Sequence, residues 1–144
     1  MFLRTLHPIA GTVALGAVAL FWTASLAAEL AGDPATLAAV KRAILWGLLV
    51  LIPTIALTGA SGFRLAGGTA TGPIGAKRRR MPAIAANGLL VLVPCAVVLD
   101  HLAQQGSFGA AFLAVQAVEL AAGAVNITLM ALNMRDGRRL VRRA

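Results

Sequence analysis

Residues 110–134, AAFLAVQAVELAAGAVNITLMALNM, decide the fold. The stretch carries one formal charge, Glu119, and no proline. It is longer than the roughly 20 apolar residues with which a helix crosses a hydrocarbon core of about 30 Å. Three further stretches read the same way: 5–28, 43–63 and 81–99 hold no formal charge when His7 is neutral. With 59% hydrophobic and 12% charged residues and a mean hydropathy of +0.84, the 144-residue chain has no soluble-domain balance. The expectation is an all-α membrane protein, a single domain of four transmembrane helices over about 8–30, 36–62, 82–104 and 108–133. A Gly-rich, basic loop at 63–81 and a basic tail at 134–144 complete it.

Local chemistry sets the expected helix limits. Pro8 and Pro82 suit the first turn of a span, where a missing N–H costs nothing, and Asp33–Pro34 reads as an N-cap followed by proline at the first helical position. Gly67, Gly68, Gly72, Pro73 and Gly75 mark a loop, and Gly106–Ser107 a tight turn. Arg4 and the apolar run after it imitate a secretory leader, but the run is too long for one, so a retained first helix is expected. The lone Cys95 reads as a small buried residue.

Charge asymmetry orients the chain. With a cytoplasmic amino terminus, that side holds Arg4, Arg64, Lys77, Arg78, Arg79, Arg80, Arg135, Arg138, Arg139, Arg142 and Arg143, leaving Lys41 and Arg42 opposite, 11 against 2 of the 13 cations. The positive-inside rule then predicts an up-down-up-down bundle with both termini cytoplasmic, in a bacterial-type inner membrane. The Lys77, Arg78, Arg79, Arg80 cluster and the Arg-rich tail are expected to meet anionic lipid headgroups at the cytoplasmic face, and no nucleic acid.

Polar residues inside the spans carry the functional information. Gln116, Glu119, Gly123, Asn126, Met130 and Asn133 recur at spacings of 3 and 4, along one face of the fourth helix; Ala110, Ala114, Ala117, Ala121 and Ala124 form a small-residue face opposite. That alanine face is expected to dock a second copy or a partner subunit. Thr12, Gly16, Ala19 and Thr23 share a face of the first span; Gly47, Thr54, Thr58 and Ser61 one of the second; Asn87, Pro94 and His101 one of the third. Thr12, Thr58, Asn87 and Asn126 are expected to form one buried hydrogen-bonded layer. Glu119, near mid-span with no Lys or Arg expected at its depth, is predicted to face the interior as a neutral, protonated acid. On that reading, Glu119→Gln keeps the fold.

A second candidate cluster, Glu29, Lys41, Arg42, Asp100 and His101, is expected at the outer surface. No metal site is expected, because His101 and Asp100 point in different directions on one helix. No cofactor is predicted; haem is a minor alternative, since His7 and His101 lie at opposite membrane faces and cannot ligate one iron. Nor do the residues form a catalytic constellation: there is no phosphate loop, nucleophile elbow or Ser/His/Asp set. Two expectations follow. The first is a small transporter, channel-like or solute-binding bundle using Glu119 with Gln116 and Asn126. The other is a non-catalytic accessory subunit of a larger membrane complex.

Overall fold

A computed structural model describes residues 2–66 and 72–141. These residues are helical with short links, and no strand occurs among them. The helices are α1 (Phe2–Ala31), α2 (Pro34–Ala66), α3 (Gly72–Asn87), α4 (Val93–Gln104) and α5 (Ala110–Val141), with a π-helical turn at Gly88–Leu92 joining α3 to α4. They supply four helical segments long and apolar enough to cross a membrane: Thr5–Ala31, Pro34–Gly62, Arg79–Gln104 and Ala110–Arg138. Large apolar side chains stay exposed on every segment, among them Leu20, Val50, Leu90 and Val118, as a lipid-facing surface requires.

The links have clear local causes. Gly32 takes a positive φ of 68°, which closes α1 through its N–H to Ala28 O (3.2 Å) at a backbone conformation glycine adopts freely. Asp33 then caps α2: its Oδ2 accepts from Thr36 N (2.8 Å) and Thr36 Oγ1 (2.6 Å), with Pro34 at the first helical position. Gly106, with φ 67°, turns the chain between α4 and α5.

Most helix ends lie beyond the expected span limits, although α5 begins at Ala110 rather than at 108. Of the expected loop at 63–81, α2 covers residues up to Ala66 and α3 begins at Gly72, while 67–71 lie outside the described residues. Pro8 and Pro82 lie inside helices rather than in their first turns, because the helices run on past the apolar segments.

Apolar packing gathers in two clusters. One joins Ala14, Val18, Ile44, Leu48, Leu51 and Ala96; the other joins Ala28, Leu37, Leu99, Ala103 and Phe112, with Phe108 edge-on to Phe112 at 5.1 Å. Close approach between helices depends on glycines. A Cβ at Gly47 would meet the Phe21 ring at 2.3 Å, and one at Gly123 would lie 2.7 Å from Trp22 Cδ1. Trp22 uses that room to donate from Nε1 to Leu120 O (2.8 Å).

Two expected polar faces fail for physical reasons. Thr12, Gly16 and Thr23 are exposed, so the first-span face points outward; Thr12 and Thr23 satisfy their hydroxyls on carbonyls of their own helix, at Pro8 (2.8 Å) and Ala19 (2.7 Å). In the third span the π turn inserts one residue, which rotates everything beyond it by about 100° relative to an unbroken α-helix. Asn87 therefore faces inward while Pro94 and His101 are exposed, and Cys95, Ala96, Leu99 and Asp100 take the buried face.

The cap of α2 has a testable pH signature. The Thr36 hydroxyl and N–H hold the Asp33 carboxyl below its ordinary value. A depressed folded value means that the cap contributes above the unfolded value of about 3.9 and fades as pH falls through the folded one. Thermal melts in detergent should rank wild type and Asp33→Asn above Asp33→Ala at pH 7, and the gap between wild type and Asp33→Ala should close in acid.

Candidate functional site

Between the two apolar clusters, α1, α2 and α5 enclose a charged centre. Lys41 Nζ lies 2.6 Å from Glu119 Oε2, with the two side chains 1% and 11% exposed. Lys41 sits seven residues into α2, about 10 Å along its axis, and Glu119 nine residues into α5, about 14 Å. Ser25 Oγ donates to Glu119 Oε2 (2.9 Å) and accepts from Lys41 Nζ. Gln116 Nε2 donates to the same Oε2 (3.1 Å) and to Ser25 Oγ (3.2 Å). The three donors converge on Oε2; Glu119 Oε1 takes none of them.

This arrangement corrects two expectations. Lys41 is not part of a surface cluster with Glu29, Arg42, Asp100 and His101, and the premise of a neutral Glu119, that no basic residue shares its depth, fails. The expected depth takes the uncharged stretch as starting at residue 43, which leaves Lys41 outside it. Residues 34–40 carry no charge either and belong to the same membrane segment, so Lys41 lies two turns inside it. Desolvating one charge costs several kcal/mol unless an opposite charge and hydrogen bonds accompany it, and here both are supplied.

A cavity of about 60 Å³ adjoins the pair. Its walls are apolar and aromatic, including Phe21, Trp22, Ile44 and Leu92, and Ser25 and Glu119 supply its polar side. That volume holds on the order of four waters.

The remaining candidate residues lie apart from this centre. Asn87 Nδ2 donates to Ala122 O (2.8 Å) and Asn126 Oδ1 (3.1 Å). Thr58 belongs to a different group, its carbonyl and Ser61 Oγ both in contact with His7 Nδ1 at 3.1 and 3.0 Å, and Thr12 is exposed. The single layer expected from depth is thus two groups on different helix pairs, Asn87–Asn126 and His7–Thr58–Ser61. Arg42 Nε pairs with Asp100 Oδ1 (2.8 Å), which also accepts from Gln104 Nε2 (3.2 Å); His101 is exposed and Glu29 half-buried. In the basic cluster, Arg80 Nη1 turns to Asp136 Oδ2 (2.7 Å) and Arg79 is exposed, while the side chains of Lys77 and Arg78 fall outside the described residues. The alanine face of α5 is exposed along Ala110, Ala114, Ala117, Ala121 and Ala124. Among the described residues no group of three or more His, Cys, Asp or Glu is placed to hold a metal.

Ser25 and Trp22 were missed as site residues and Lys41 was expected in the outer-surface cluster, yet the sequence carries a signal for each. Lys41 falls in the helical series Leu37, Lys41, Ile44, Leu48, Leu51, and Val18, Trp22, Ser25 follow the same spacing on α1. No protein-family model, curated protein or solved structure matches this chain.

Removing one charge strands the other in a buried site, at about 3–5 kcal/mol, whereas replacing both with apolar or neutral groups of similar size is close to neutral. Glu119→Gln and Lys41→Met should each lower unfolding stability by about that amount. The double variant should recover most of the loss in a double-mutant cycle. Additive losses would show that the two side chains act independently.

Proposed function

We propose that this chain is a small ion-handling membrane bundle, channel-like or transporting, in which the Lys41–Glu119 pair passes protons or another species of comparable size. One observation carries the reading: a charged pair is buried inside membrane-length helices, the second carboxylate oxygen of Glu119 takes none of the three donors, and Glu119 lines a cavity large enough for a few waters. Ionisable groups at such depth are costly, and they characteristically mark ion or proton pathways. A proton reaching Glu119 Oε1 breaks the charge balance with Lys41, and its departure restores it. The small cavity favours water and ions over larger organic solutes.

The topology of this reading is an up-down-up-down bundle in a bacterial-type inner membrane with both termini cytoplasmic. The two-residue link at Gly32–Asp33 is short enough to return α2 directly along α1, and α5 follows α4 after a five-residue link that turns at Gly106. Moving Lys41 into the interior leaves the charge bias at 11 against Arg42 alone, which strengthens the orientation. A reporter active only in the cytoplasm should give signal when fused to Ala144 and none when inserted after Gly106. The reverse pattern would invert the orientation.

Flux is the direct test of the function. Purified protein in liposomes, loaded with a pH-sensitive dye and given a potassium diffusion potential, should acidify faster than empty vesicles. The Lys41→Met/Glu119→Gln double variant, which folds without the charged pair, should match empty vesicles. Equal rates for wild type and empty vesicles would remove the proton-handling reading.

A second reading, an accessory subunit docked through α5, has its own support in the exposed alanine face, which lets another helix approach closely. Ala117→Leu and Ala121→Leu should then shorten the co-purified assembly in mild detergent without lowering the melting temperature of the single chain.

A further inference from the structure

The two sides of the charged centre are built differently. On the Gly32 side, Ala28, Leu37, Leu99, Ala103 and Phe112 bring all four spans into one apolar layer, with Leu99 and Phe112 0% and 1% exposed. Leu37 precedes Lys41 by one turn of α2, and Ala28 follows Ser25 by one turn of α1. Phe112 precedes Glu119 by two turns of α5, on the same face and about 10 Å along the axis. Gln104 Nε2 donates to Ala38 O (2.9 Å), so α4 also ends on this side. On the opposite side the same four spans leave the cavity of about 60 Å³, with Val18 and Trp22 of α1, Leu48 of α2, Leu92 just before α4 and Gly123 of α5 in its wall. The buried face of α5 changes character at the same point. Among its described residues, those buried beyond Glu119 are Gly123, Asn126, Asn133 and Asp136, none with an apolar side chain, whereas the one buried before Gln116 is Phe112.

We propose that the Lys41–Glu119 pair is approached from the cavity side and that the apolar layer is a hydrophobic gate on the Gly32 side, held shut by Phe112. This deepens the proton-handling reading and rests on it. A close-packed apolar layer stops a proton because it leaves no room for the water that would carry one, and constrictions of this kind gate by excluding water. The cavity, with Ser25 and Glu119 in its wall, is roomy and polar enough to hold water. Phe112 is the largest side chain of the layer, and none of the hydrogen bonds at the pair depends on it. A proton held at Glu119 leaves toward Gly32 only when the layer admits water, so the gate sets the rate.

The liposome flux assay tests this with Phe112→Ala, which should raise proton flux about tenfold over wild type, while Phe112→Leu, which keeps most of the apolar volume, should stay within about twofold of it. In the Lys41→Met/Glu119→Gln background Phe112→Ala should match empty vesicles, because the opened layer leads to the pair. Should Phe112→Ala fail to fold, Leu37→Ala opens the same layer from α2 and carries the same expectations. With a conducting wild type, an opened variant within about twofold of it overturns the gate and leaves the proposed function standing. So does a raised flux that survives loss of the pair, which marks a leak through loosened packing. A wild type that does not conduct overturns both.

Discussion

An ion inside a hydrocarbon-thick protein must carry its neutralisation with it, and the rest of this fold is arranged to satisfy that demand at one point. Lys41 comes from α2, Glu119 and Gln116 from α5 and Ser25 from α1, so three helices have to converge at one level before any of these groups is tolerable there. The apolar clusters on either side keep the level dry and fix the axial register of the helices. Such a pair is a poor source of net stability, because desolvation offsets most of the Coulomb gain. It is a strong source of specificity, because a helix slipped by one turn would leave two charges unmatched.

The other charges follow the same logic with less burial. Arg42–Asp100 joins α2 to α4, and Arg80–Asp136 joins α3 to α5. Together with the central pair they use three of the five acidic residues between helices; Asp33 caps a helix, and Glu29 Oε2 is, among the described residues, a fully buried carboxylate oxygen without a donor. A chain this poor in carboxylates gives almost every one an identifiable structural partner, which is why Glu29 stands out.

The helical class and the four membrane-length segments were legible in the sequence, since both follow from run length and charge spacing. So was the inward face of α5: Gln116, Glu119, Gly123, Asn126 and Asn133 all end up buried. Two things were not. Charges were used as span boundaries, an assumption that fails when a cation is paired across the bundle, and so Lys41 was assigned to the wrong depth. The facing of the third span was also wrong beyond residue 87, because periodicity arguments assume a constant helical pitch and nothing in GLLVL announces a wider turn. Pro94, just after it, is the nearest hint, since a proline leaves an upstream carbonyl without its helical donor.

That wider turn also separates the third span into two halves with independent obligations. Asn87 on one side is tied to α5, and Asp100 on the other to α2. An unbroken α-helix could meet only one of these angular demands. The extra residue acts as a vernier between them, and its loosely wound backbone, next to Leu92 at the cavity wall, is where the span can most readily wind or unwind. The cavity wall at Leu92 thus sits at the boundary between a half of the span set by α5 and a half set by α2.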